Sequence, residues 1–289
     1  MKYIKKILCL FFILLLFSGC DFKSSKMDDI NIYTTTYPIR YLITSLYGEY
    51  SKVYSIYPTG VTLADYELSD RKLEEYSKSD LFVFNSLDKD RDYAVKMINL
   101  NDRLKVIDVA TGMKYESSIE ELWLNPNDYL MMAENIKDGL AEYINNPYLV
   151  EEIEKKYDTL EYNVSKLAAN LTETISGAKY KTIVVDDDMF LYLEKFGLHV
   201  ISLEENDNLN SNKLEEVKNL IDSGNIKYIY SSKSESNDTV TGFINDKKVG
   251  LVTLNTMHSI DGGITNSNDN YISIMSNNIN LLKKELYKD

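Results

Sequence analysis

The sequence predicts an α/β fold of two lobes, each with a parallel sheet flanked by helices, joined by one long rigid α-helix. Three observations predict it. Short runs rich in β-branched and aromatic residues alternate with amphipathic stretches, and such alternation builds parallel sheets. The alternation occurs twice, in residues 30–145 and again in 178–289. Between the two, residues 146–177 carry an unbroken apolar stripe at steps of three and four.

The chain opens with "MKYIKKILCLFFILLLFSGC". Lys2, Lys5 and Lys6 give a basic start, and the apolar run from Ile7 to Phe17 is shorter than the roughly 20 residues of a bilayer span. It ends in "FSGC", so residues 1–19 read as a lipoprotein signal cut before Cys20, whose thiol would carry lipid. Phe17 stands where leucine is commoner, and a plain signal peptide or an N-terminal anchor is the bland alternative. Residues 20–29 read as a polar, lipidated tether, which places the folded part on the extracytoplasmic face of the cell membrane. The only other cysteine, Cys9, leaves with the signal, so no disulfide or thiolate ligand is expected.

In the first lobe, strands are expected near 30–36, 52–58, 81–85 and 104–108, with helices at 39–48, 71–78 and 90–100. The linking helix starts at Asn146-Pro147 and stops at Gly177. Its stripe runs through Val150, Ile153, Tyr157, Leu160, Val164, Leu167, Leu171 and Ile175. That is a rod of about 29 residues and about 44 Å. A coiled-coil dimer is the alternative, but the central position favours a link between lobes. In the second lobe, strands are expected near 181–185, 198–203, 226–230 and 249–254, with helices near 188–196, 211–223 and 269–287.

The net charge is −13, and removing three lysines with residues 1–19 takes it to about −16. Nucleic acid selects basic surfaces, so that partner is excluded. An acidic surface concentrates cations, although it also simply keeps exported proteins soluble.

Several constellations carry candidate chemistry. "IVVDDDMF" puts Asp186, Asp187 and Asp188 in a strand-to-helix turn, where α/β folds bind ligands. It resembles the strand-Asp-x-Asp start of haloacid-dehalogenase-type phosphatases, which implies Asp186 as nucleophile, Asp188 as acid and Ser231 as the later hydroxyl. No later acidic pair follows to hold magnesium, because "VGLVTLN" ends in Asn255. Soft-metal capture uses His and Cys. Only His199, within a strand pattern, and His258, in a loop, are present.

The order of "IYTTTYPIRYL", "YPTGVTLADYELSDRKLEEYSKSDLFVFN", "ELWLNPNDYLMMAENI", the long helix and "KTIVVDDDMFLYL" resembles the solute-binding lipoproteins of zinc and manganese ABC importers (metal-binding cluster A-I family). The resemblance spans residues 30–287. It implies a non-enzymatic receptor with its ligand between two lobes, and an ABC permease and its ATPase as partners. The usual histidine ligands are replaced. After the first-loop pair Leu63-Ala64 comes Asp65; Glu121 stands two positions before Trp123; Asp187 and Asn255 match the remaining two positions.

Three readings stay open. Glu121, Asp187 and Asn255, with Asp65, form an oxygen-preferring site for a divalent metal ion such as manganese, calcium or magnesium. Alternatively, a small cationic or polar solute binds against Tyr37, Tyr66 and Trp123 in a cleft also lined by Ala64. Thirdly, metal binding is lost and the protein is an accessory or adhesin-like surface lipoprotein. Asp187 also reads as a helix cap, with Asp186 or Asp188 as alternative caps. Glu120 and Glu121 read equally well as solvated loop charges, and Asn255 as a backbone-bonding turn residue.

Overall fold

The computed structural model describes residues 27–58, 66–233, 236–247, 249–257 and 269–289. The signal segment, Cys20, Leu63, Ala64, Asp65 and His258 lie outside these residues. Two four-stranded parallel sheets are present. The first contains β1 (Ile30–Thr34), β2 (Ser51–Ser55), β3 (Leu81–Phe84) and β4 (Lys105–Asp108) in the order β2-β1-β3-β4. The second contains β5 (Thr182–Val185), β6 (His199–Ser202), β7 (Tyr228–Ser231) and β8 (Gly250–Thr253) in the order β6-β5-β7-β8. The two orders are the same. Each sheet reverses its winding beside its first strand, and ligands of open α/β sheets lie outside the carboxyl ends of the strands at that point.

Local sequence explains the elements. β3, "LFVF", is buried at all four residues, as a central parallel strand with helices on both faces should be. β1 ends at Thr34, two residues short of the sequence expectation. Pro38, in the first turn of α1 (Tyr37–Tyr47), favours an earlier helix start. α2 (Asp70–Tyr76) and α3 (Asp90–Leu100) cover the outer face of the first sheet, burying Leu73, Tyr93 and Met97 against Phe82 and Phe84. α4 (Glu121–Leu124) and α5 (Pro126–Tyr143) follow, and Asn125 caps α5 through its side chain.

The linking helix, α6 (Pro147–Ser176), runs for 30 residues, with Asn146 accepting the Tyr148 amide at 3.0 Å. Its stripe buries Ile153, Leu160, Val164, Leu167, Leu171 and Ile175. α6 packs along α5 on one side and α9 (Tyr271–Leu286) on the other, so its apolar residues join a single core cluster that reaches both sheets. α7 (Ser211–Asp222) and α8 (Asp238–Lys247) cover a separate outer core built on Val184, Ile201, Ile229 and Val240.

Two local expectations change. Residues 188–196 form a 3-10 helix rather than an α-helix; it is stopped by Gly197 at φ 97°, a conformation glycine adopts without a Cβ penalty. α8 was not expected, because Gly242 and the β-branched Val240 and Ile244 weaken its helical signature.

Candidate functional site

The exits of β5 and β8 meet α4 at the seam between the lobes. Trp123 fixes the meeting: it is 1% exposed, and its indole Nε1 donates to the Thr256 carbonyl at 2.9 Å. The Tyr271 hydroxyl in turn donates to the Trp123 carbonyl at 2.7 Å. Glu121, two residues before Trp123, and Asn255, one residue before Thr256, are thus carried on segments pinned together. α4 also packs on the 3-10 helix that follows Asp187.

The three aspartates divide their roles. Asp186 is buried and ties β5 to β7, accepting the Ser231 hydroxyl and the Ser232 amide. A carboxylate held in that way is a crosslink rather than a nucleophile. Asp188 accepts from Asn206 Nδ2 at 3.0 Å, and its own amide donates to Glu204 at 2.9 Å. Asp187 is itself the cap: its extended backbone lets Oδ1 accept the Met189 amide at 2.9 Å. Among the described residues its Oδ2 has no hydrogen-bond partner. Desolvation pushes the Asp187 carboxyl up to about 6, and the negative charges of Glu204, Asp186 and Glu120 push the same way. The capping amide opposes them.

Glu120 and Glu121 are not solvated loop charges, being only 6% and 1% exposed. They diverge. Glu120 adds negative potential at Asp187 across the seam. Glu121 accepts the Ser117 amide at 2.8 Å and the Glu116 amide at 3.3 Å, and stands 3.5 Å from the Lys195 ammonium. Asn255 accepts the Met257 amide at 2.9 Å through Oδ1, while its backbone is held at both N and O by the Asn278 amide.

The expected cleft-lining residues are mostly covered. Tyr37 is buried with the Arg40 guanidinium 5.4 Å from its ring centre. Tyr66 is half-buried, edge-on to Tyr57 at 5.9 Å. His199 opens β6, at the sheet edge opposite the strand exits, and is exposed. Among the described residues, no group of three or more His, Cys, Asp or Glu side chains is placed to hold one metal ion. The expected set draws on an asparagine and on Asp65, which lies outside those residues.

The sequence reading missed the sorting of charge along the seam. One short helix is capped by Asp187, which feels the like charge of Glu120, and carries in its last turn Lys195, which faces the opposite charge of Glu121. The Glu120-Glu121 doublet and Lys195 were the only signals available. Chemically, the Asp187 half concentrates negative charge from Glu204, Asp186 and Glu120, whereas the other half pairs Glu121 with the Lys195 ammonium.

Comparisons with known proteins agree with this architecture. The zinc-binding lipoprotein AdcA of Streptococcus pneumoniae strain R6 is 25% identical over 292 residues, covering 92% of this chain. The chain spans 58% of that relative's length. The high-affinity zinc uptake system protein ZnuA of Bacillus subtilis is 23% identical over 290 residues, with 91% of this chain and 89% of that protein covered. The structure of the Zn(II)-bound ZnuA-like domain of S. pneumoniae AdcA superposes with a TM-score of 0.73 at 24% identity, covering 89% of this chain and 99% of that domain. The family model described as "Zinc-uptake complex component A periplasmic" (ZnuA) matches residues 32–285. With nearly the whole folded part matched, the chain belongs to the ZnuA family.

Proposed function

We infer that the protein is an extracytoplasmic solute-binding lipoprotein of a metal-type ABC importer, held to the membrane through lipidated Cys20. It captures a divalent cation between its lobes through mainly oxygen ligands, drawn from Asp187, Asn255, Asp65 and Glu121, and delivers it to a permease driven by an ATPase. One observation carries this reading. Asp187 is half-buried, has a carboxylate oxygen without a hydrogen-bond partner among the described residues, and is crowded by Glu204, Asp186 and Glu120. A cation relieves both the desolvation and the repulsion, and hard ions prefer such oxygens. Loss of imidazoles shifts preference away from zinc relative to a histidine-rich site.

A second reading, in which the cleft takes a different small solute or serves an accessory surface role, is favoured by Ala64 at one ligand position. Calorimetry of the purified protein with manganese, calcium, magnesium and zinc separates the two. The expected result is binding of a hard divalent ion that Asp187→Asn weakens at least about tenfold. Tight zinc binding indifferent to pH overturns the oxygen site, and no binding by any of the four ions leaves the second reading.

A further inference from the structure

We propose that Lys195 is a built-in competitor for the cargo cation: its ammonium occupies the seat at Glu121, and cargo reaches that carboxylate only by displacing it. The proposal rests on the cation-binding reading above and adds a residue that sets its strength. Lys195 belongs to the second lobe, at the end of the 3-10 helix that Asp187 begins. It reaches across the seam to the first. Its Nζ stands 3.5 Å from Glu121 Oε2 and 3.5 Å from Glu116 Oε1. Asp128, in the first turn of α5, adds a third negative charge facing it.

Glu121 has little left to offer a second cation. Its side chain is 2% exposed, and both oxygens already accept backbone amides. A metal ion at Oε2 needs a contact of roughly 2.0–2.6 Å. An ammonium 3.5 Å from the same oxygen would then face a double positive charge at short range, and the two repel even with protein-like screening. The two cations therefore exclude one another. Lys195 can leave: its side chain is 42% exposed, its other contact, Glu116, is 69% exposed, and its stem is flexible.

This arrangement also gives the adjacent glutamates different tasks. Glu120 raises the Asp187 carboxyl through its like charge, a repulsion that a cation at Asp187 relieves. Glu121 and Lys195 attract each other across the seam when the cleft is empty, in addition to the continuous apolar packing that joins the lobes. A lysine in this place lowers affinity for every cation while preserving the seam.

The test is manganese calorimetry on the full-length protein and its Lys195→Met, Lys195→Arg, Glu121→Gln, Lys195→Met/Glu121→Gln and Asp187→Asn variants. Lys195→Met is expected to tighten manganese binding about tenfold or more, and Lys195→Arg to leave it near the wild-type value. The gain must vanish when Glu121→Gln is added, a dependence that a merely structural lysine would not show. Unchanged affinity in Lys195→Met, with binding still lost in Asp187→Asn, overturns the competitor while the cation reading stands. Failure of every variant, Lys195→Met included, to bind manganese overturns both.

Discussion

At the scale of single residues, burial decides which acids are ordinary and which are poised. Asp90 shows this away from the seam. It is 1% exposed and accepts the Tyr57 hydroxyl at 2.7 Å, and burial pushes its carboxyl up to about 6 despite that bond. A folded value above the unfolded value near 4 means that the native state binds the proton more tightly. Asp90 therefore favours folding most below about pH 4, and the contribution is lost as pH rises through about 6. Asp90→Asn keeps an acceptor for Tyr57 but cannot ionise. Urea unfolding should show it up to about 3 kcal/mol more stable than wild type at alkaline pH and nearly equal in acid. A variant that is equally destabilised at both ends of the pH range would contradict this account. Asp187 is also pushed up to about 6, so on the proposed reading, with Asp187 as a ligand, cation affinity should fall as pH drops through about 6, because a ligand carboxylate must be deprotonated. At this scale the sequence was half-legible. Asp187 announced itself by its place after a strand, and the structure makes it the cap. The burial of Glu120 and Glu121 was not legible, because it depends on a seam formed with the distant second lobe.

At the scale of elements, periodicity that persists is readable and periodicity that is short is not. α6 was visible because its apolar residues repeat over eight turns, with Asn146-Pro147 to start and Gly177 to stop. Central strands such as β3 and β5 were visible because each is a compact apolar run between polar turns. The nine residues of the 3-10 helix could not be told from an α-helix, since both present apolar residues at similar spacings over so short a length. α6 also yields a graded prediction. Leu167 is 4% exposed within the stripe, so Leu167→Ala should cost about 2–5 kcal/mol in chemical denaturation. Tyr162 projects from the same helix at 68% exposure, and Tyr162→Ala should change stability by less than about 0.5 kcal/mol. Equal costs at both positions would mean that the stripe does not carry the packing.

At the scale of the whole molecule, the two lobes share one core rather than meeting as separate bodies. The apolar cluster runs from Ile32 and Leu81 in the first lobe through α6 to Ile183 and Leu282 in the second. Aromatic rings lock it across the seam: Tyr271 of the second lobe stacks on Tyr129 at 3.8 Å and on Tyr41 at 5.9 Å, both from the first. Continuous packing of this kind makes the lobes unfold together and limits how far they can swing apart. The single tryptophan reports on the seam directly, because Trp123 binds Thr256 of the second lobe and receives the Tyr271 hydroxyl. In the wild type, tryptophan fluorescence and far-ultraviolet circular dichroism should trace one coincident urea transition. Tyr271→Ala removes the stack, the hydroxyl bond and a fully buried ring, a loss of about 3–5 kcal/mol concentrated at the seam. The lobes should then lose their coupling before their sheets melt, so the fluorescence transition moves to lower urea than the dichroism transition. Tyr271→Phe keeps the stack and loses only the hydroxyl bond, about 1 kcal/mol, and its two transitions should stay together. If Tyr271→Ala still unfolds in one coincident step, the coupling resides in α6 alone, and the rings across the seam only fill space.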